Sequence, residues 1–150
     1  MSRSQGKGLN FLKIYTDGAA RGNPGPAAIA FIFVYKNKIL HEGCEFIGKS
    51  TNNTAEYKAI INALKLAQEY SKGEIELYSD SNLAIQQIKK NWRINFPHLA
   101  KLCKDVHKLI GIYEKVEFNH IKRDNQFIAM CDRLCNERLD SEGIKFLKKN

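Results

Sequence analysis

The segment FLKIYTDGAARGNPGPAAIAFIFVY, residues 11–35, opens with a mixture of aromatic and β-branched residues from Phe11 to Thr16 and reaches Asp17-Gly18. Gly22, Pro24, Gly25 and Pro26 then punctuate a loop, the pattern of a strand feeding a tight turn. Ala27 to Tyr35 is apolar on both alternating faces, as expected of a strand covered on both sides. Lys36-Asn37-Lys38 is a polar turn, and Ile39 to Ile47 supplies a third strand. Three strands joined by short connections predict an antiparallel meander.

Beyond the third strand the period changes at Asn53. Tyr57, Ile60, Ile61, Leu64 and Ala67 fall on one stripe and predict an amphipathic helix. Ile75 to Ser79 reads as a short strand, and a helix carrying Leu83, Ile85 and Ile88 begins after Asp80-Ser81. Pro97 separates it from a helical face of Leu99, Leu102, Val106, Leu109 and Ile110. Val116 to Ile121 is a last strand and Ile128 to Leu139 a terminal helix. The order βββαβααβα predicts an α/β fold: a mixed five-stranded sheet, three antiparallel strands followed by parallel additions, flanked by helices. A polar leader (1–10), one domain (11–142) and a basic tail (143–150) with Lys145, Lys148 and Lys149 complete the organisation.

At 150 residues and 43% hydrophobic composition, one core suffices. Twenty-four Lys and Arg against sixteen Asp and Glu leave a net charge of +8, which favours a polyanionic partner. The longest apolar run, Ala27 to Tyr35, is nine residues, about half of the ~18 that a membrane helix needs. Neither that run nor the polar leader reads as a membrane or secretory signal, so a cytoplasmic protein is expected. Cys44, Cys103, Cys131 and Cys135 are then read as structural thiols, since Cys131 and Cys135 lack a second pair at zinc spacing.

Four acids stand at element ends amid apolar or Gly-rich surroundings: Asp17, Glu56, Asp80 and Asp132. If the first and fourth strands are neighbours, Asp17 and Asp80 project from one end, and two helix starts bring Glu56 and Asp132 to them. Carboxylates held so close repel one another unless a divalent cation lies between them, and an all-oxygen donor set selects Mg²⁺ or Mn²⁺ over zinc. Each acid also has a structural alternative. Glu56, three residues after Asn53, fits a capping box; Asp80 fits a helix cap; Asp132 fits the start of a helix.

The chain resembles the type 1 ribonuclease H family in three segments. Ile14 to Pro26 is similar to the family's first strand and following loop, Ser50-Thr51-Asn52-Asn53-Thr54-Ala55-Glu56-Tyr57 to its Thr-Asn-Asn-x-x-Glu helix start, and Tyr78-Ser79-Asp80-Ser81 to the segment carrying its third acid. Cys131-Asp132-Arg133-Leu134 looks like the helix bearing the fourth, with Asp124 a competitor. The resemblance implies a ribonuclease H-like fold and an endonuclease that cuts the RNA strand of an RNA–DNA hybrid, leaving a 5′-phosphate and a 3′-hydroxyl. Asp17, Glu56, Asp80 and Asp132 would hold two Mg²⁺ ions, with Mn²⁺ a possible substitute. It also implies substrate contacts at Gly18, Asn23, Thr51, Asn52 and Asn53, residue types that serve turns and caps equally well.

The chain resembles the compact subgroup that lacks a basic, Trp-rich insertion. Lys89-Lys90-Asn91-Trp92-Arg93 stands in its place, and Trp92 with Arg93 is read either as a gripping surface or as a core Trp at a helix end. The family's auxiliary His before the fourth acid has no counterpart at that spacing: His120 lies twelve residues ahead of Asp132, in a strand. Lys122, Arg123 and Asn125 are the other auxiliary candidates. A monomer is expected, and the competing readings are a catalytically silent nucleic-acid-binding module and another nuclease or strand-transfer enzyme of this fold.

Overall fold

The computed structural model describes residues 8–145. Its elements are β1 (Leu9–Ala20), β2 (Gly25–Tyr35), β3 (Lys38–Ser50), α1 (Asn52–Ala67), β4 (Ser71–Ser79), α2 (Asn82–Ile88), α3 (Pro97–Ile110), β5 (Lys115–His120) and α4 (Gln126–Ser141). The βββαβααβα order and the mixed five-stranded sheet are as expected, with strand order β3-β2-β1-β4-β5. β1–β2 and β2–β3 are antiparallel, while β1–β4 and β4–β5 are parallel.

Residue alternation assigns each strand face to a helix layer. Leu12 and Ile14 of β1, with Phe31 and Phe33 of β2, join the core formed with Tyr57, Ile60 and Leu64 of α1. Their neighbours Tyr15, Ala28, Ala30, Ile32 and Val34 face the opposite way, onto Ile128, Cys131, Cys135 and Leu139 of α4. β2 therefore carries an unbroken apolar run because both of its faces are covered. Burying a side chain of this size contributes roughly 1.5–3 kcal/mol, which makes the two layers the main source of stability.

The first three strands extend beyond their apolar stretches, because ladder hydrogen bonds continue where side chains no longer need burial. β1 starts at Leu9, two residues inside the expected leader: its N–H donates to the Tyr70 carbonyl at 2.9 Å and its carbonyl accepts from Ser71 Oγ at 2.6 Å. At the other end Ile144, in the basic tail, is docked: its N–H donates to the Leu139 carbonyl at 3.0 Å and its carbonyl accepts from the Arg21 guanidinium. The rest of the leader (1–7) and the tail lysines Lys148 and Lys149 lie outside the described residues.

One glycine sets how closely α1 approaches the sheet. A Cβ on Gly18 would lie 2.4 Å from the Ala55 carbonyl carbon and 2.7 Å from the Glu56 nitrogen, both of them backbone atoms that cannot rotate aside. Gly18→Ala is therefore expected to lower the unfolding free energy by about 1–3 kcal/mol in a denaturant titration, the range for overpacking a tight contact. Unchanged stability would show that β1 and α1 are not held at this distance.

Candidate active site

Thr16 and Ser79 are the last paired residues of the parallel β1–β4 ladder, so the next residue along each chain is an aspartate, Asp17 or Asp80. Both side chains emerge at the same end of the sheet. α1 adds Glu56 from above: the Gly18 N–H donates to Glu56 Oε1 at 3.0 Å and lies 3.0 Å from Asp17 Oδ1. Carboxylate oxygens of Asp17, Glu56 and Asp80 lie within 4.8 Å of one another. Asp132, on α4, lines the same cavity of about 490 Å³ beside Asp17 and Glu56 but stands outside that closest cluster.

Asp80 divides its two oxygens between different tasks. Oδ2 pairs with Arg123 Nε at 3.0 Å, whereas Oδ1 is buried with no hydrogen-bond partner. A buried acceptor without a donor is costly, and an oxygen cluster aimed at one point suits a hard divalent cation.

A family model described as reverse transcriptase-like matches residues 15–137. Ribonuclease HI of Halobacterium salinarum is 39% identical over 127 residues, 84% of this chain and 63% of that protein. The ribonuclease H of Thermoanaerobacter pseudethanolicus is 33% identical over 144 residues, 87% of this chain and 91% of its own length. The chain belongs to the ribonuclease H family. Among solved structures, LC11-RNase H1 in complex with RNA/DNA hybrid superposes with a TM-score of 0.81 at 34% identity, covering 87% of this chain and 98% of that one. The sheet and its helices are thus the ribonuclease H fold, and the acidic cluster lies at the carboxyl ends of its adjacent parallel strands.

Within this ribonuclease H domain, the capping alternatives for the acids are overturned. Thr51 is the N-cap of α1, its Oγ1 accepting from the Thr54 N–H at 3.2 Å, so Asn53 and Glu56 form no capping box. Ser81, not Asp80, caps α2, and Asn125 caps α4 by accepting from the Phe127 and Ile128 N–H groups. Asp132 lies well inside α4 rather than at its start. Other residues thus satisfy the helix starts, and Glu56, Asp80 and Asp132 are not spent on capping.

The other site residues separate into groups. Gly18 is in the cluster; Asn23 Oδ1 accepts from the Asn52 N–H at 2.9 Å and Asn52 Oδ1 from the Ala20 N–H at 2.8 Å, so these asparagines join the β1–β2 loop to α1. Asn23, Thr51 and Asn53 line a second cavity, with Lys49, Lys58 and Phe96. Trp92 is 46% exposed, which overturns its reading as a core residue: it lies in the run of exposed residues 89–93 that follows α2. Trp92 lines a separate cavity with Lys90 and His107. Arg93 is exposed, and its carbonyl accepts from Gln87 Nε2. Of the auxiliary candidates, Arg123 reaches an acid, Asn125 is a cap, His120 is exposed opposite Ser79, and Lys122 and the competing acid Asp124 are exposed.

Sequence reading missed three contributors. Arg21 and Asn136 line the acidic cavity, and Phe96, 67% exposed, lines the second one. Asn136 could have been found from its i+4 spacing after Asp132; Arg21 could not, because its partners lie more than a hundred residues away. The four cysteines are free thiols. Cys131 donates to the Tyr15 carbonyl at 3.5 Å and Cys135 to the Ala28 carbonyl at 3.5 Å, and burial pushes both thiols up.

Burial, reinforced by Asp80 and Asp132, pushes Asp17 from its ordinary 3.8 to about 8, with the Gly18 N–H and Arg123 opposing. Burial and the neighbouring Asp17 and Asp80 also hold Glu56 well above the usual carboxylate range. A carboxyl whose folded pKa is raised contributes stability that is present below its unfolded pKa and lost as pH rises through the folded value. The metal-free protein is therefore expected to lose thermal stability between about pH 4 and pH 8, and Asp17→Asn to remove part of that slope. Melting temperatures measured in chelator across this range check it; a wild type that grows more stable toward pH 8, with Asp17→Asn unchanged, contradicts it.

Proposed function

We propose that this protein is an endonuclease that hydrolyses the RNA strand of RNA–DNA hybrids, leaving a 5′-phosphate and a 3′-hydroxyl. The observation that carries the reading is the convergence of Asp17, Glu56 and Asp80, with one Asp80 oxygen buried and unpartnered, in a member of the ribonuclease H family. The all-oxygen donor set fits two Mg²⁺ ions, with Mn²⁺ as substitute, held by Asp17, Glu56, Asp80 and Asp132. When bound, such ions lower the pKa of an attacking water and stabilise charge on the leaving 3′-oxygen.

The chain's own residues do the rest. Asp17 and Asp80, fixed by paired strands, give the site a rigid base, and the Gly18 N–H orients Glu56 over it. Arg123, with its side chain 79% exposed, reaches over the acids from solvent, where it would meet a phosphate. Gly18, Asn23, Thr51, Asn52 and Asn53 are proposed to follow the sugar-phosphate backbone, and an RNA-specific contact would read the 2′-hydroxyl. Trp92 and Arg93 are proposed to grip the DNA strand. His120, Lys122 and Asn125 stay in reserve as auxiliary groups, after Arg123. The proposal includes a monomer working in the cytoplasm. No described helix is long and apolar enough to cross a membrane.

The test is cleavage of an end-labelled RNA–DNA hybrid beside duplex DNA and duplex RNA. The hybrid's RNA strand should be cut with Mg²⁺ or Mn²⁺ and left intact in chelator. Asp80→Asn should slow cutting by about 10³-fold, several kcal/mol of lost charge stabilisation. Tight hybrid binding with no turnover under either metal would establish the silent binding module instead.

A further inference from the structure

Asn136 follows Asp132 by one turn of α4, and its Nδ2 donates to the Asp132 carbonyl at 3.1 Å and to Asp132 Oδ2 at 3.4 Å. An asparagine amide can be turned either way about its last bond, and only one orientation presents the NH₂ to a carboxylate. That orientation is dictated here. Arg21 Nη2 donates to Asn136 Oδ1 and to the Asn136 carbonyl, both at 3.2 Å, and a guanidinium, having donors only, must meet the amide's oxygen. The Arg21 side chain is 3% exposed and is held by Asp140 at 2.9 Å and by the Ile144 carbonyl. A continuous path thus runs from the docked end of α4, through Arg21 and Asn136, to Asp132.

Asp132 needs such a hold. It is half-buried on a helix and lines the acidic cavity beside Asp17 and Glu56, and without a partner its side chain is free to adopt rotamers that leave that cavity. We infer that Asn136, locked in one amide orientation by Arg21, is a positioning residue that aims Asp132 at the cation site. The inference rests on the function proposed above, in which Asp132 is a metal ligand. A hydrogen-bonding partner behind a ligating carboxylate lowers the cost of presenting it, and losing such a partner typically weakens metal affinity or activity by about 10- to 100-fold.

The experiment compares the full chain with Asn136→Leu, which is similar in size and lacks the amide, by calorimetric titration with Mn²⁺ in the absence of substrate and by steady-state hybrid cleavage. Asn136→Leu should weaken Mn²⁺ binding about 10-fold and lower kcat about 10-fold, with KM for the hybrid unchanged. Asn136→Gln, which keeps the amide, should recover part of both losses. In an Asp132→Asn background, Asn136→Leu should cause no further loss. If Asn136→Leu does not fold, as judged by its melting curve, Asn136→Ala carries the same comparison. Mn²⁺ affinity within twofold of wild type, or losses that add in full to those of Asp132→Asn, would overturn the inference. A wild type that binds Mn²⁺ and leaves hybrid uncut overturns the proposed function alone, and the calorimetric comparison still decides the role of Asn136.

Discussion

Adjacent parallel strands that end in step bring Asp17 and Asp80 side by side, and most of the site geometry follows from that pairing. The ladder from Leu12↔Ile75 to Thr16↔Ser79 leaves neither aspartate room to withdraw along its own strand. Their separation is therefore set by the backbone, while their charge opposes it. Folding places two acids together with burial on one side and Arg123 on the other, so ionising both is costly and the Asp17 pKa is raised. The two hydrophobic layers, α1 with α3 on one face and α4 on the other, supply the free energy that holds this unfavourable arrangement.

The close approach of α1 at Gly18 turns that arrangement into a site. Without a Cβ at this position, the first turns of the helix reach the end of β1, and the Gly18 N–H can bind Glu56 directly. Thr51 takes over the capping that Glu56 would otherwise provide, just as Ser81 does beside Asp80. Assigning the caps to neutral hydroxyls spares Glu56 and Asp80 that duty, and Asp80 Oδ1 is left with no protein donor at the cluster. α4 follows the same division, with Asn125 at the cap and Asp132 turned to the cavity.

Much of this was legible in the sequence. The unbroken apolar run Ala27 to Tyr35 identifies a strand covered on both faces, and Asp17 and Asp80 stand where strand patterns stop. The three acids of the cluster could be named from those breaks and from the motif around Glu56. Capping could not be assigned, because Asn53, Asp80 and Ser81 are all good cap residues and backbone geometry decides among them. Trp92 was equally open: its exposure depends on how residues 89–93 turn back on Gln86 and Gln87 at the end of α2, which composition does not encode. Arg21 was hidden in a glycine-rich loop because its partners, Asn136, Asp140 and Ile144, meet it only after α4 docks.

Buried, mutually repelling carboxyls should hold protons until a divalent cation replaces them. Proton exchange on cation binding tests it most directly, by titrating the chelator-treated protein with Mg²⁺ or Mn²⁺ at pH 7 in buffers of different ionisation enthalpy. Net release of at least about one proton per chain is expected, because Asp17, with a pKa of about 8, is mostly protonated there and Glu56 is held well above the usual carboxylate range. Binding that releases no proton would mean that the acids are already charged and apart, and would contradict it.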